Sequence, residues 1–426
     1  MSSKVYFLLL VWWSTVLIKP TILQAQQDTT TIPEIVTISY EEAKARMIKE
    51  NLQLLAARYD INMSEAQAVQ AKLWNNPYLI WNQAAYSVEK NDYFNFTRQA
   101  LIQIEQVFSI AGKHTNSVKL SKLNVEMSKL ALEDVMRSLL LELGNSYASL
   151  NALQEQDTLY GTVLNNVNQL ITASEQQQRT GALAGNEVVR LRSELISIQT
   201  QALQNRNEME QAMSELRILL NLPSTTFIQT TEAVKVVESL QPLQDLIALA
   251  LESRPDYKLS NRSIAYESRN LKLQKSISVP DIKFAYQPFD RGSNYVRPYE
   301  GFNIEAPIPI FDRNQGRIQE SKVKIKQAKS NNLLIENKVT NETTTAYYQL
   351  INTQRGIENY STQFIQQLEE LNVNANTNYN RRNISILEFI DQQRIYVQTK
   401  IQQIQLMNQY NQSVNQLNFS VGREIF

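Results

Sequence analysis

Apolar side chains recur at three- and four-residue steps through most of this chain, the spacing of helices that bury one face. Val188, Leu191, Leu195, Ile198 and Ala202 form one such stripe, and Leu333, Glu336, Val339, Ala346 and Leu350 a looser one. The pattern predicts helices over residues 39–74 and 241–278, very long ones over 113–178 and 313–379, and partner helices over 186–222 and 386–421. At about 1.5 Å per residue each long helix extends roughly 100 Å, a shape no compact globular domain takes. Proline agrees, since none stands between Tyr78 and Leu222 or between Ile310 and Phe426. Gly112, Gly181 and Gly316 fall at expected breaks.

Two stretches change period. Phe302, Ile304, Ala306, Ile308 and Ile310 alternate with polar Asn303 and Glu305, and Ile102, Ile104, Phe108 and Ile110 are set against Gln103 and Glu105. Upstream of these, strands are expected at 78–88 and at 281–287, where Ile282, Phe284 and Tyr286 oppose Lys283 and Gln287. Together they predict β-hairpins over 77–110 and 280–311, with tips at 89–98 and 291–300 that are polar and aromatic. Strands of about ten residues with period-two apolarity suit a membrane barrel, apolar outside and polar inside. A half-buried hairpin of a soluble domain has the same pattern, and periodicity leaves both open.

The first half of the chain reappears, in order, roughly 200 positions later, which marks one large supersecondary unit duplicated rather than a solenoid of small repeats. Asn-Pro-Tyr-Leu-Ile-Trp at 76–81 answers Val-Pro-Asp-Ile-Lys-Phe at 279–284, and Ser146-Tyr147-Ala148-Ser149-Leu150 answers Ala346-Tyr347-Tyr348-Gln349-Leu350. The chain divides into a first repeat over 26–222, a linking or equatorial segment over 223–242, and a second repeat over 243–426. Two hairpins give four strands, whereas membrane barrels need about eight or more. An open sheet in lipid would leave unsatisfied edges, so several chains must share one barrel. Three chains give twelve strands and a pseudo-sixfold ring.

Composition narrows the chemistry. Lys+Arg and Asp+Glu both number 42, so no basic field calls for nucleic acid. There is no cysteine and one histidine, His114. That excludes disulfides, thiolate metal sites and cysteine nucleophiles, and removes most zinc and Ser–His chemistry. No enzyme and no cofactor is expected. Lys4, an apolar run over 5–18 and Leu23-Gln24-Ala25 have the layout of a secretory signal peptide over 1–25.

With these features in hand, the mature chain resembles the TolC-like outer-membrane efflux channels. Pro307-Ile308-Pro309-Ile310-Phe311-Asp312-Arg313-Asn314-Gln315-Gly316 looks like the strand-to-helix junction of the CzcC-like cation-efflux branch. The stretch after Tyr379, ending Ser385-Ile386-Leu387-Glu388-Phe389-Ile390-Asp391-Gln392-Gln393, is similar to the family's periplasmic tip, as is Arg179-Thr180-Gly181 through Leu191. The resemblance implies a mainly α fold with a small β part: a homotrimer with a twelve-stranded barrel in the outer membrane and a coiled-coil helical tunnel in the periplasm of a Gram-negative cell. It also implies passive conduction, powered by a resistance-nodulation-division transporter of the inner membrane through a periplasmic adaptor. Two departures stand out. Arg381-Arg382-Asn383 replaces the turn glycine of the first tip, so a different turn is expected there. The chain ends at Phe426, so a mid-tunnel belt must come mainly from 223–242.

Candidate residues follow. Glu388 and Asp391 share a helix face and, by the resemblance, line the closed periplasmic end as stacked acidic rings that favour cations. Alternatively, they complement the dipole of their helix and stay solvated. Tyr379 is implied to help hold that gate shut, or else is coiled-coil packing. Arg179, Thr180, Gly181, Arg381 and Arg382 form the turns an adaptor would meet, or are ordinary solvated turns. Glu105 and Glu305 face the barrel lumen, since facing lipid would cost each a few kcal/mol. Phe311, Asp312, Arg313 and Gly316 form the strand-to-helix junction, where Asp312 and Arg313 cap and order the corner rather than bind cargo. His114 is structural rather than a metal ligand. The competing functions are a coiled-coil structural or adaptor protein of the periplasm, a duct for drugs or type I protein secretion, and a secreted hydrolase, for which no nucleophile, base or metal cluster converges.

Overall fold

The computed structural model describes residues 34–87, 91–93, 100–181, 183–231, 240–292 and 297–426. The expected leader over 1–25, parts of both hairpin tips and residues 232–239 of the linking segment lie outside the described residues. Strand β1 (Ile35–Ile38) leads to helices α1 (Tyr40–Glu50) and α2 (Leu52–Gln70). Then come β2 (Tyr78–Gln83), a two-residue pair β3 (Tyr86–Ser87) and β4 (Asp92–Tyr93), and β5 (Ala100–Phe108). Helix α3 (Lys113–Arg179) runs 67 residues, and α4 (Gly185–Leu219) returns along it. Strand β6 (Phe227–Thr230) opens the second half, followed by α5 (Leu243–Ser253), α6 (Pro255–Ile277), β7 (Ile282–Asp290) and β8 (Tyr299–Glu305). Helices α7 (Gln315–Glu358), α8 (Thr362–Asn380) and α9 (Ile386–Val421) end the chain.

Three of the expected helices are interrupted. The helix over 39–74 breaks at Asn51, which stands at φ −66°, ψ 126° and accepts from the Gln53 and Leu54 amides, capping α2. The helix over 241–278 breaks at Arg254, held extended because Pro255 follows it. The helix over 313–379 breaks between Glu358 and Thr362, where Ser361 accepts from the Phe364 amide and starts α8. Helix α3 has no such interruption. Apolar spacing persists across each break, so periodicity alone could not register it.

The principal sheet is antiparallel with the order β2-β5-β7-β8, so the hairpin of each half joins the other through β5 and β7. A second, parallel pair was not anticipated: β1 lies beside β6, with Ile35 opposite Phe227 and Ile38 opposite Thr230. The segment before α1 thus packs beside residues 227–230 of the linking segment. Gln154 of α3 fixes the pair, donating to the Ile228 carbonyl at 2.7 Å and accepting from the Thr230 amide at 3.1 Å.

Burial concentrates between helices. One cluster, including Val163, Val167, Leu191, Ile198, Leu368, Ala375, Phe389 and Val397, joins α3, α4, α8 and α9 at the turn end. A second joins α1, α3, α4 and the β1–β6 pair, and a third joins α5, α7 and α9. Among the described residues, no helix is long and apolar enough to cross a membrane.

Candidate functional site

The alternation read in the strands sets two unlike faces on the principal sheet. Leu79 pairs with Ile104, Trp81 with Ile102, Phe284 with Ile304 and Tyr286 with Phe302, placing these side chains on one face. That face is bare: Leu79 is 73% exposed, Phe302 71% and Ile304 69%. The opposite face is polar. Gln287 donates to Gln103 at 2.9 Å, and Lys283 lies 3.6 Å from both Glu105 and Glu305. The two glutamates thus share the polar face, as expected, and Lys283 joins them, which the sequence reading had not singled out.

At the corner beyond β8, Asp312 Oδ1 accepts from the Asn314 amide at 2.8 Å, and the Arg313 amide donates to Gln315 Oε1 at 2.8 Å. These bonds hold the turn at Asp312 and Arg313. Asn314, at φ 56°, takes the left-handed place that Gly112 fills at φ 77°, and Gly316 lies inside α7 with open space around it. The Asn314 side chain also donates to the Gln274 carbonyl at 2.7 Å, which holds α7 to α6. Phe311 is 88% exposed. His114 stacks on Trp74 at 4.2 Å and bonds the Lys72 carbonyl at 3.0 Å, so it packs α3 to the end of α2.

At the other end of the helices the two turns match more closely than expected. Thr180 stands at φ −87°, ψ 2° before Gly181 at φ 75°, and Arg381 at φ −84°, ψ 0° before Arg382 at φ 59°. The expectation of a different second turn is corrected. Arg382 adopts glycine's conformation because the Asn383 amide reaches back to the Asn378 carbonyl at 2.8 Å, closing a Schellman turn. Its guanidinium donates to Gln177 Oε1 at 3.1 Å, tying one tip to the other. Arg179, Thr180, Gly181 and Arg381 are exposed.

Glu388 and Ser385 form a reciprocal cap at the start of α9: the Ser385 amide donates to Glu388 Oε2 at 2.8 Å, and the Glu388 amide to Ser385 Oγ at 3.2 Å. Asp391, one turn on, is exposed. The buried side of α9 is Ile386, Phe389, Gln393, Tyr396 and Val397. Tyr379 belongs with that side, stacked on Phe389 at 5.0 Å, and burial pushes its phenol above the ordinary value. The three expected gate residues are therefore split, two acids outward and the tyrosine inward. A pocket of about 280 Å³ beside them is lined by Ser174, Gln177, Glu187, Tyr379, Arg382 and Ile386, among others.

Several polar residues that matter were missed. Arg394 of α9 pairs with Glu194 of α4 at 3.3 Å. Gln393 donates to Asn372 at 2.7 Å inside the α8–α9 packing, and the Tyr396 hydroxyl donates to Glu369 at 3.1 Å. Burial, with the charge of Glu369, pushes Tyr396 up to about 12. Further up, Arg254 is 1% exposed and bonds Asp256 at 2.6 Å, Glu342 at 2.7 Å and the Ser420 carbonyl at 3.1 Å. Asn51 does the corresponding work in the first half, donating to the Leu219 carbonyl at 3.0 Å. Burial alone would raise the Asp256 carboxyl, but the Arg254 bonds and the charges of Arg137 and Arg254 outweigh it and hold it below the usual range. The only sequence signal for these was a polar residue at a stripe position or before a proline. No group of three or more His, Cys, Asp or Glu able to hold a metal occurs among the described residues.

Residues 45–222 match the outer membrane efflux protein family. Over 392 residues the chain is 20% identical to the cobalt-zinc-cadmium resistance protein CzcC of Cupriavidus metallidurans, covering 91% of this chain and 90% of that one. Its fold is similar to that of CusC, with a TM-score of 0.71 and 17% identity over 90% of this chain and 92% of the other. It is likewise similar to the Campylobacter jejuni CmeC outer membrane channel, with a TM-score of 0.74 and 14% identity over 90% and 85% of the two chains.

Proposed function

We propose that this chain is an outer-membrane efflux channel rather than an enzyme, as the match of residues 45–222 to the outer membrane efflux protein family and the likeness to CzcC and CusC support, and that three copies form the exit duct of a tripartite pump for divalent metal cations. What carries the trimer is the four-stranded sheet. Among the described residues β2 and β8 each have one unpaired edge, and the face that carries Leu79, Phe302 and Ile304 leaves large apolar side chains exposed. Hydrocarbon tolerates neither open edge, so the sheet closes with copies of itself into a twelve-stranded barrel whose lumen carries Glu105 and Glu305. The order helix pair, hairpin, long helix, returning helix occurs twice along the chain, in keeping with a duplicated unit and a quasi-sixfold tube.

The helices extend into the periplasm, where the exposed turns at Arg179–Gly181 and Arg381–Arg382 meet an adaptor, and the transporter of the inner membrane supplies the energy. Glu388 and Asp391 face the lumen as acidic rings at the closed end, and Tyr379 supports them from behind. The metal cargo follows from likeness to a cobalt-zinc-cadmium resistance protein.

Purified protein in detergent should cross-link to trimers and conduct ions in planar bilayers. Monomers without conductance would end the duct. A strain lacking the gene should become sensitive to cobalt, zinc or cadmium; sensitivity confined to a panel of drugs would reassign the cargo.

A further inference from the structure

We infer that Lys283 sets the ion preference of the barrel lumen by neutralising one of the two carboxylates that flank it. The inference rests on the trimeric barrel proposed above and adds a second charged constriction, remote from Glu388 and Asp391. Strands β5, β7 and β8 are neighbours, and the register puts Lys283 opposite Val107 and Glu305. Its Nζ sits 3.6 Å from Glu105 Oε1 and 3.6 Å from Glu305 Oε1. Both separations are too long for strong hydrogen bonds, so the lysine is held by charge rather than by fixed geometry. The side chains are 15% exposed at Glu105, 41% at Lys283 and 61% at Glu305, so the cation stands between a sheltered anion and an open one.

All three lie near the strand ends from which α3 and α7 depart, which makes them a band at the mouth of the helical tunnel. One lysine between two glutamates leaves a single net negative charge per chain at this level. A trimer then carries a ring of net charge minus three, which draws cations without trapping them. Without the lysine the same ring would hold six unneutralised carboxylates, and closely spaced carboxylates bind multivalent cations rather than pass them. Lys283 is thus the residue that lets a cation duct release its cargo outward.

The test uses the trimer in planar bilayers under a potassium chloride gradient, at about 0.1 M salt so that screening extends only about 10 Å. Trimer formation and conductance are confirmed first on the same preparation; their failure overturns the barrel, and this inference with it. In a conducting trimer, Lys283→Met should raise the potassium-to-chloride permeability ratio about threefold or more. It should also introduce block by trivalent lanthanum. Glu305→Gln should do the opposite, abolishing the cation preference that arises at this level, and Lys283→Met/Glu305→Gln should return close to the original value. Should Lys283→Met not assemble, Lys283→Gln takes its place. A conducting trimer whose permeability ratio is the same in the lysine variant and in the unmodified protein removes Lys283 from ion selection while leaving the duct intact.

Discussion

Arg382 offers a test of the tip in which two opposing effects can be weighed. A non-glycine residue in the left-handed region costs about 1–2 kcal/mol. Glycine placed there recovers that strain but gives back about 0.5–1 kcal/mol in freedom of the open chain. The exposed bond from Arg382 to Gln177, at 3.1 Å, contributes about 0.5 kcal/mol at most. Strain should therefore outweigh the tether. Arg382→Ala keeps the strain and loses the tether, so the amide of Asn383, which closes the turn onto Asn378, should exchange about twofold faster. Arg382→Gly loses the same tether but relaxes the backbone by a net ~0.5–1 kcal/mol, so that amide should exchange about two- to fivefold more slowly than in Arg382→Ala. Gln177→Ala, which touches only the tether, should match Arg382→Ala. Hydrogen exchange read by mass spectrometry over residues 378–386 measures all three. If Arg382→Gly exchanges as fast as Arg382→Ala or faster, the left-handed geometry at φ 59° is not what limits this turn.

Three further outcomes can be checked. Arg254→Met strands the partly buried Asp256 and Glu342 and should lower stability by about 3 kcal/mol in urea titrations, with Arg254→Lys in between. The folded carboxyl of Asp256 lies below its unfolded value, so its contribution is full above about pH 4 and is lost as pH falls through the folded value. The acid limb should accordingly flatten in Arg254→Met, and an unchanged limb would dissociate the two groups. Tyr396 is raised to about 12, so its contribution is full below about pH 10 and fades as pH climbs towards the folded value. Alkaline loosening of α8 and α9, followed by hydrogen exchange, should be reduced in Tyr396→Phe. Glu388→Gln preserves the reciprocal cap with Ser385, since glutamine serves the same role, and should leave helix content unchanged while weakening cation preference in bilayers. Glu388→Ala should in addition cost about 1 kcal/mol. Equal selectivity in both variants and the parent would assign Glu388 to capping alone.

Parts of the site were legible for definite reasons. Glu105 and Glu305 could be placed on one face because strand side chains alternate, and alternation survives any detail of pairing. The acids at 388 and 391 could be located near a helix start because apolar spacing predicts a helix beginning at 386. Lys283 was visible as a polar strand residue, but its position between two glutamates needed the register of three strands. Arg394 and Glu194, 200 residues apart, gave no sequence cue to their pairing.

By itself the sequence determined where helices and strands lie along the chain and which strand residues share a face, because each follows from spacing within a short window. Only the tertiary structure decided the rest. At the breaks, the partners of Asn51 and Arg254 are carbonyls of Leu219 and Ser420, which arrive from helices far along the chain. The parallel pairing of β1 with β6 joins segments with no local signal in common. The left-handed turn at Arg382 was hidden because its sequence lacks glycine, and backbone bonds within a packed hairpin impose the conformation that the residue type would avoid.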